Sequence, residues 1–389
     1  MVIINAKLYP IDRDPIPCGF VRVEGERIAE VGEMSAYRPG DGDVIDAAGA
    51  CLLPGFVDAH THIGIWEENL GLEGDDTNES SDPATPHLRA IDAINTRDPA
   101  FRTALEGGVT TVVVGPGSGN PIGGQCAAIK TGGSLWIDDR IVAAPLAMKM
   151  ALGENPKREY GDQDETPMTR MATAAIIREN LQKAVEYRDK LARAEDEDDE
   201  PDYDAKLDAL LPLLAGEIPA HIHAHRADDI ATAVRIAEEF GLRYAIVHAT
   251  EADLVAEPLS RLGDRFLGLI TGPLFSTRTK PELSHLSFSA PGILRRHGLE
   301  TALCTDHQVV PENYLLLCAA LAVKHGMTEA DALSAVTLSA AKLSGIESRV
   351  GSLTPGKDAD LVLLDGHPFD LFTNVTRVFI NGACVYGKE

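Results

Sequence analysis

The chain has 389 residues, of which 44% are hydrophobic, 24% charged and 5% aromatic. This composition excludes a disordered chain and leaves room for one large core or several smaller ones. With 35 basic against 60 acidic side chains the formal net charge is −25, so nucleic acid and anionic membranes are not expected partners.

The six cysteines are scattered with no CxxC pair and read as free thiols rather than as a disulfide framework. No apolar run reaches the roughly 18 residues of a membrane span, and the first residues lack a basic-then-apolar leader. A cytoplasmic protein without a membrane partner is the expectation.

The first 50 residues predict short strands. Gly19–Val23 and Arg27–Val31 flank Glu24-Gly25-Glu26, a hairpin turn. The last 40 residues predict another set, with Asp360–Leu364 followed by Thr376–Ile380 and Ala383–Tyr386 around Asn381-Gly382. Neither end holds enough apolar side chains for its own core. The two together, 1–52 plus 346–389, are expected to close one small β-sandwich domain.

Between them, 53–345 alternates strand-like and helix-like segments. The strands expected are Cys51–His60, Thr110–Val114, Cys126–Lys130, Val142–Met150, Ala220–His223, Tyr244–His248, Leu267–Thr271 and Thr301–Cys304. The helices expected are Asp98–Glu106, Met168–Arg193, Arg226–Glu239, Ala252–Leu262 and Pro311–Lys324. This pattern predicts an α/β fold, a TIM-like (β/α)8 barrel. A doubly wound sheet is the alternative, but no GxGxxG opens a helix after the first strand. A helical and acidic insertion is expected over about 153–217. Its run Glu195–Glu200 must be solvated, and its role is either to cover a site or to mediate association.

The histidines concentrate at predicted strand ends. His60 and His62 point to one side at the end of the first barrel strand, and His221, His223 and His225 repeat that spacing. His248 and Asp306 each close a later strand, with His307 beside the latter. In a barrel these ends share one rim. Imidazoles with a carboxylate suit Zn²⁺, as one or two ions, and iron, manganese or cobalt fit the same ligands.

The segment Leu53-Pro54-Gly55-Phe56-Val57-Asp58-Ala59-His60-Thr61-His62 resembles the first-strand signature of the amidohydrolase superfamily. His223-Ala224, His248 and Thr305-Asp306-His307 resemble its later strand signatures, and Gly351–Val362 resembles its closing segment. The likeness spans nearly the whole chain and is greatest to imidazolonepropionase-like amidohydrolases. It implies a metal-dependent barrel hydrolase beside a β-sandwich. It further implies that His60 and His62 bind one metal, and that His223 binds that metal or a second. His248 would bind the second, contact substrate or, like His225, stabilise a developing oxyanion, and Asp306 would touch the metal and act on the water.

Lys149 stands where the resemblance implies a carboxylated lysine bridging two metals; it could instead bind a substrate carboxylate or pair with Glu154. Lys130, at the end of the third strand, competes for that role. Gln125 stands near a glutamate position of some relatives, where a neutral amide fits poorly. His225 is expected to contact substrate, support His248 or stabilise an oxyanion. His221 is expected to pack in the core and His307 to orient a ligand, with His87 and His285 as substrate-loop candidates. Gly115–Gln125 reads as an anion-binding rim loop or as a plain turn. Lys157 and Arg158 read as recognition of a substrate carboxylate or as solvated charge.

The reaction implied is hydrolysis of a non-peptide C–N bond in a small molecule, a cyclic amide or an N-acyl amino compound, with Asp306 as general base and acid. The scarcity of aromatics gives no stacking platform for a nucleobase. A deaminase or dipeptidase of the same superfamily and a non-catalytic binding or assembly protein on the same barrel are the alternatives. A homodimer or higher homo-oligomer is the expected assembly.

Overall fold

The computed structural model describes residues 1–40, 42–196 and 199–387. The chain opens with β1 (Val2–Leu8), β2 (Ile16–Glu24), β3 (Arg27–Glu33), β4 (Val44–Asp46) and β5 (Cys51–Pro54). The first turn follows from Gly25, whose φ of 57° suits a residue without Cβ. It brings Glu24 opposite Arg27.

Eight strands then build a second sheet. These are β6 (Phe56–Thr61), β7 (Val109–Val114), β8 (Ile122–Lys130), β9 (Ile141–Ala151), β10 (Ala220–Ala224), β11 (Tyr244–His248), β12 (Phe266–Thr271) and β13 (Thr301–Leu303). The chain ends with β14 (Leu361–Leu364), β15 (Val375–Ile380) and β16 (Ala383–Gly387). The last hairpin turns on Asn381 and Gly382, at φ 49° and 77°, the left-handed pair that matches strand twist.

Both chain ends meet in one hydrogen-bonded sheet, in the order β16-β15-β14-β5-β1-β2-β3 with β4 beside β1. β14 enters between β15 and β5, pairing Val362 with Leu53. Ile3, Leu8, Val21, Leu52, Leu361 and Phe379 form the core of this sheet.

The expected strand Cys51–His60 is two strands in two sheets, broken at Gly55. A Cβ on Gly55 would lie 2.0 Å from Thr110 Oγ1. The chain crosses against β7 there, and only glycine fits.

The middle sheet runs in the order β13-β12-β11-β10-β9-β8-β7-β6 and nearly closes as a barrel. Backbone bonds from Asp306 N to His60 O (3.2 Å) and from His62 N to His307 O (3.1 Å) join its two edges.

One expectation fails. β8 pairs antiparallel with both neighbours, so the barrel is not a uniform (β/α)8 repeat. A parallel return needs a crossover of a dozen or more residues, and Gly115–Pro121 is too short for one. The reversal sends Lys130 to the opposite end of the barrel, far from a bridging role. There its buried amine lies 2.9 Å from Asp358 Oδ2 and also contacts Asp360.

Helices cover the outside. Pro99–Glu106 is capped by Asp98, whose carboxylate accepts Ala100 N. Ala227–Glu239 buries Ile230, Ala233, Ile236 and Ala237 along one stripe. The predicted helix Ala252–Leu262 is instead a 3-10 turn, Ala252–Val255, followed by one turn over Ala256–Leu259; Pro258 lacks the N–H that would prolong it.

In the expected insertion, Arg170–Leu191 packs Ile177, Leu181 and Ala184 into the same core as Ile230 and Ile236. The shorter Glu154–Gly161 borders the barrel mouth. Of the acidic run, Glu195, Asp196, Asp199 and Glu200 are exposed; Glu197 and Asp198 lie outside the described residues. Among the described residues no helix is long and apolar enough to cross a membrane.

Candidate active site

His60 lies near the end of β6, and His62 follows two residues on, so both rings face the barrel axis. His62 Nδ1 is 2.8 Å from Gly115 O, and His248 Nδ1 is 2.8 Å from Gly272 O. A carbonyl can only accept. Nδ1 therefore carries the proton in both rings, and each Nε2 presents a lone pair.

Asp306 Oδ1 lies 3.4 Å from His60 Nε2 and 3.3 Å from His62 Nε2. His248 and Asp306 have φ of 71° and 54°, in the left-handed region uncommon outside glycine. At both strand ends the chain turns sharply to aim a side chain inward.

Two donor groups result. His60, His248 and Asp306 offer atoms within 4.8 Å of one another, and so do His223, His225 and His248. The His248 ring stacks on that of His225 at 4.8 Å and 14°. Lys149 Nζ is 3.3 Å from His60 Nε2. The pairing of Lys149 with Glu154 does not form; the Glu154 amide instead donates to Glu282.

Burial sets the charge state. It holds the imidazoles of His60, His223 and His225 well below their ordinary pKa and takes His248 down to about 4. Burial alone would raise Asp306, but the facing imidazoles of His248, His60 and His62 hold it well below the usual carboxylate range. Lys149 is lowered by burial. At neutral pH the centre therefore presents neutral imidazoles and an ionised carboxylate.

A metal fits these residues. Both ring nitrogens of His223 are buried without a hydrogen-bond partner, a costly state for polar atoms unless an ion or water meets them.

A buried scaffold behind the ligands was not foreseen. Asp58 accepts the amide of His60 at 3.0 Å and both the amide and hydroxyl of Thr305, at 2.9 and 2.6 Å. Glu312 accepts the hydroxyl of Thr61 at 2.9 Å, and its Oε2 lies 3.2 Å from Thr305 Oγ1. One carboxylate thus ties the start of the site to its end. Burial, partly offset by the Thr305 hydrogen bonds, lifts Asp58 to about 6.

Other candidates stand apart. His221 is fully buried one strand layer deeper, with Nε2 3.3 Å from Leu343 O. The ring nitrogens of His307 have no hydrogen bond; its backbone carbonyl, not its ring, serves His62. His285 pairs with Asp253. The Gln125 amide reaches Pro86 O at 3.4 Å. In the glycine loop, Gly117 N and Gly119 N already donate to Thr77 O and Asn78 Oδ1, so these two amides are not available to an anion.

A cavity of about 470 Å³ opens over the cluster, bordered by His62, His225, Asp306, Trp66, Arg158 and Lys280. Glu282, fully buried beside His223 and His225, was also missed. It sits in the loop after β12, and nothing in Lys280-Pro281-Glu282 marks an inward-facing acid.

A metal-ready cluster at the mouth of an eight-stranded barrel defines a class of metal-dependent enzymes. Residues 51–385 match the model described as Amidohydrolase family, and the chain belongs to that family. It is a hydrolase acting on carbon–nitrogen bonds other than peptide bonds.

It is similar to amidohydrolase tasK of Hapsidospora irregularis, at 32% identity over 95% of this chain; the chain spans only 40% of that protein. It is 27% identical to an imidazolonepropionase of Solibacter usitatus, covering 96% of this chain and 92% of the relative. The crystal structure of an amidohydrolase from Thermotoga maritima MSB8 superposes with a TM-score of 0.95 at 44% identity, with both chains fully covered.

Proposed function

We propose that the chain is a metal-dependent amidohydrolase that hydrolyses a cyclic amide or an N-acyl amino compound. The observation that carries this reading is the convergence of His60 Nε2 and His62 Nε2 on Asp306 Oδ1, at 3.4 and 3.3 Å. Zn²⁺ is the cation these donors suit best, held by His60, His62 and Asp306, with His248 and His223 adjacent. When bound, it polarises the substrate carbonyl and lowers the pKa of water.

The chain's own residues do the rest. Asp306, ionised, takes one proton from the attacking water and delivers it to the leaving nitrogen as the C–N bond breaks and the C–O bond forms. His248 acts as a ligand and not as an oxyanion donor, because its one N–H is committed to Gly272 O. His225 remains the imidazole for the substrate side, its Nδ1 held 2.7 Å from Thr250 Oγ1. The buried amine of Lys149, beside His60, supports a role as a carbamate bridge between two cations.

A carboxylate on the substrate is supported by Arg158, which borders the cavity and pairs with no carboxylate among the described residues. The relative named imidazolonepropionase supports a cyclic amide of that kind. Small size is in keeping with the cavity.

Asp306→Asn is the test. The variant should still bind metal but lose about 10²–10⁴-fold in turnover against a panel of cyclic amides and N-acyl amino acids. Wild-type protein that neither contains nor acquires a transition metal would instead favour a binding protein on this barrel.

A further inference from the structure

Two loops at the barrel mouth set apolar side chains within a few residues of the reacting groups. Trp66, one of the chain's two tryptophans, donates its amide to His62 O at 2.9 Å, and its carbonyl accepts Gln308 Nε2 at 2.8 Å. Val309 donates its amide to Asp306 O at 2.8 Å. Both residues are thereby fixed relative to His62 and Asp306, and both border the cavity of about 470 Å³. Val309 is 44% exposed, and the indole N–H of Trp66 meets no acceptor among the described residues. Leu283 and Leu286, in the loop after β12, extend this apolar wall.

The opposite side of the mouth is cationic. The barrel strands run in order from β6 to β13, so β9 stands four places round from β13. The helix Glu154–Gly161 after β9 therefore faces Val309 across the cavity. Its Arg158 borders the cavity and is exposed. Lys280 is already neutralised, with Nζ 2.9 Å from Glu282 Oε1 and 2.9 Å from Asn155 Oδ1. Two acids share the border. Glu159 Oε1 accepts the Ser80 hydroxyl at 2.5 Å, and Asp75, bridged to Trp66, accepts the Thr77 amide at 3.1 Å. A guanidinium free of any carboxylate, facing an uncovered apolar wall, matches a ligand with an anionic end and a hydrocarbon end.

In an N-acyl amino acid the acyl chain and the carboxylate leave the scissile C–N bond in opposite directions. With that bond over Asp306, the carboxylate meets Arg158 and the acyl chain meets Trp66 and Val309. We propose that Trp66 and Val309 select an apolar acyl group, so that the preferred substrate is an N-acyl amino acid whose acyl part is an aliphatic chain longer than acetyl or an aromatic ring. The inference rests on the hydrolase reading above and chooses the acylated amino compound over the cyclic amide. A ring amide bearing only a carboxylate would leave the apolar wall in water.

The test measures kcat/KM of full-length, zinc-loaded protein on N-acetyl-, N-butanoyl- and N-phenylacetyl-alanine. N-butanoyl-alaninamide, the dipeptide glycyl-alanine and a carboxylated cyclic amide complete the panel. Each buried methylene is worth about fourfold, so N-butanoyl-alanine should exceed N-acetyl-alanine by about 16-fold. Trp66→Ala should shrink that ratio to about fourfold or less. Val309→Ser should shrink it too, which guards against one variant failing to fold. Arg158→Gln should cost about fivefold on the acid and nothing on the carboxamide. Binding is read separately in an Asp306→Asn, Trp136→Phe chain. Trp136 is 69% exposed and lies outside the cavity, so its removal leaves Trp66 as the sole indole. The emission of Trp66 should change on adding N-butanoyl-alanine.

Equal rates on the acetyl and butanoyl substrates overturn this inference and leave the hydrolase reading standing. So does a preference for the dipeptide, whose ammonium Asp75 would select, or for the cyclic amide. An unchanged ratio in both folded wall variants, or an unresponsive Trp66, overturns it as well. Zinc-loaded protein that cleaves none of these amides overturns both readings.

Discussion

Metal-free protein should lose stability steeply in mild acid, and His221 isolates one part of that loss. Its ring is fully buried, and burial lowers its pKa to about 4 from an ordinary 6.5. Above pH 6.5 the ring is neutral folded or unfolded and its contribution is complete. Below that, the unfolded chain binds a proton that the folded chain refuses, so stability falls as pH drops from 6.5 toward 4. At pH 5 the loss is about 2 kcal/mol, and its limit is about 3 kcal/mol.

His221→Gln keeps an N–H able to reach Leu343 O and removes the titration. Urea unfolding of chelated wild type and variant, at pH 7.5 and pH 5, gives four stabilities. The fixed cost of the substitution cancels between the two pH values. The variant should lose about 2 kcal/mol less than wild type over that interval. Equal losses in both proteins would show that the folded state admits the proton at His221, and the argument from burial would fail.

Lys130→Met removes the cation from Asp360 and from one side of Asp358, inside the junction between barrel and terminal sheet. Leaving a buried carboxylate unpaired should cost about 3–5 kcal/mol, and a denaturant shift corresponding to less than about 1 kcal/mol would show the pair to be solvated. Zinc at a hundred times its dissociation constant should raise the unfolding free energy of stripped protein by about 3 kcal/mol. Unchanged urea midpoints with and without zinc would argue that the histidine cluster holds no ion.

Much of this protein was legible in the residue order. All eight barrel strands were marked by apolar runs bounded by turns, and the pairs Gly25-Glu26 and Asn381-Gly382 announced their hairpins through local backbone preference. The grouping of His60 with His62 was legible because a strand's two-residue period puts both on one side, and His248 and Asp306 stood out because each closes a predicted strand. The reversal of β8 was within reach, since Gly115–Pro121 is too short for a parallel return.

Other features depended on contacts distant in sequence. Gly55 divides one apolar run between two sheets only because Thr110 crosses beneath it. Asp58 reads as an ordinary strand residue until Thr305 arrives to be tied. Glu282 becomes a site residue only when its loop folds back over His223 and His225. Local order sets periodicity and turn chemistry, which act over a few residues. The meeting of Asp58 with Thr305 and of Glu282 with His225 depends on how the barrel closes, and that is set by packing across the whole chain.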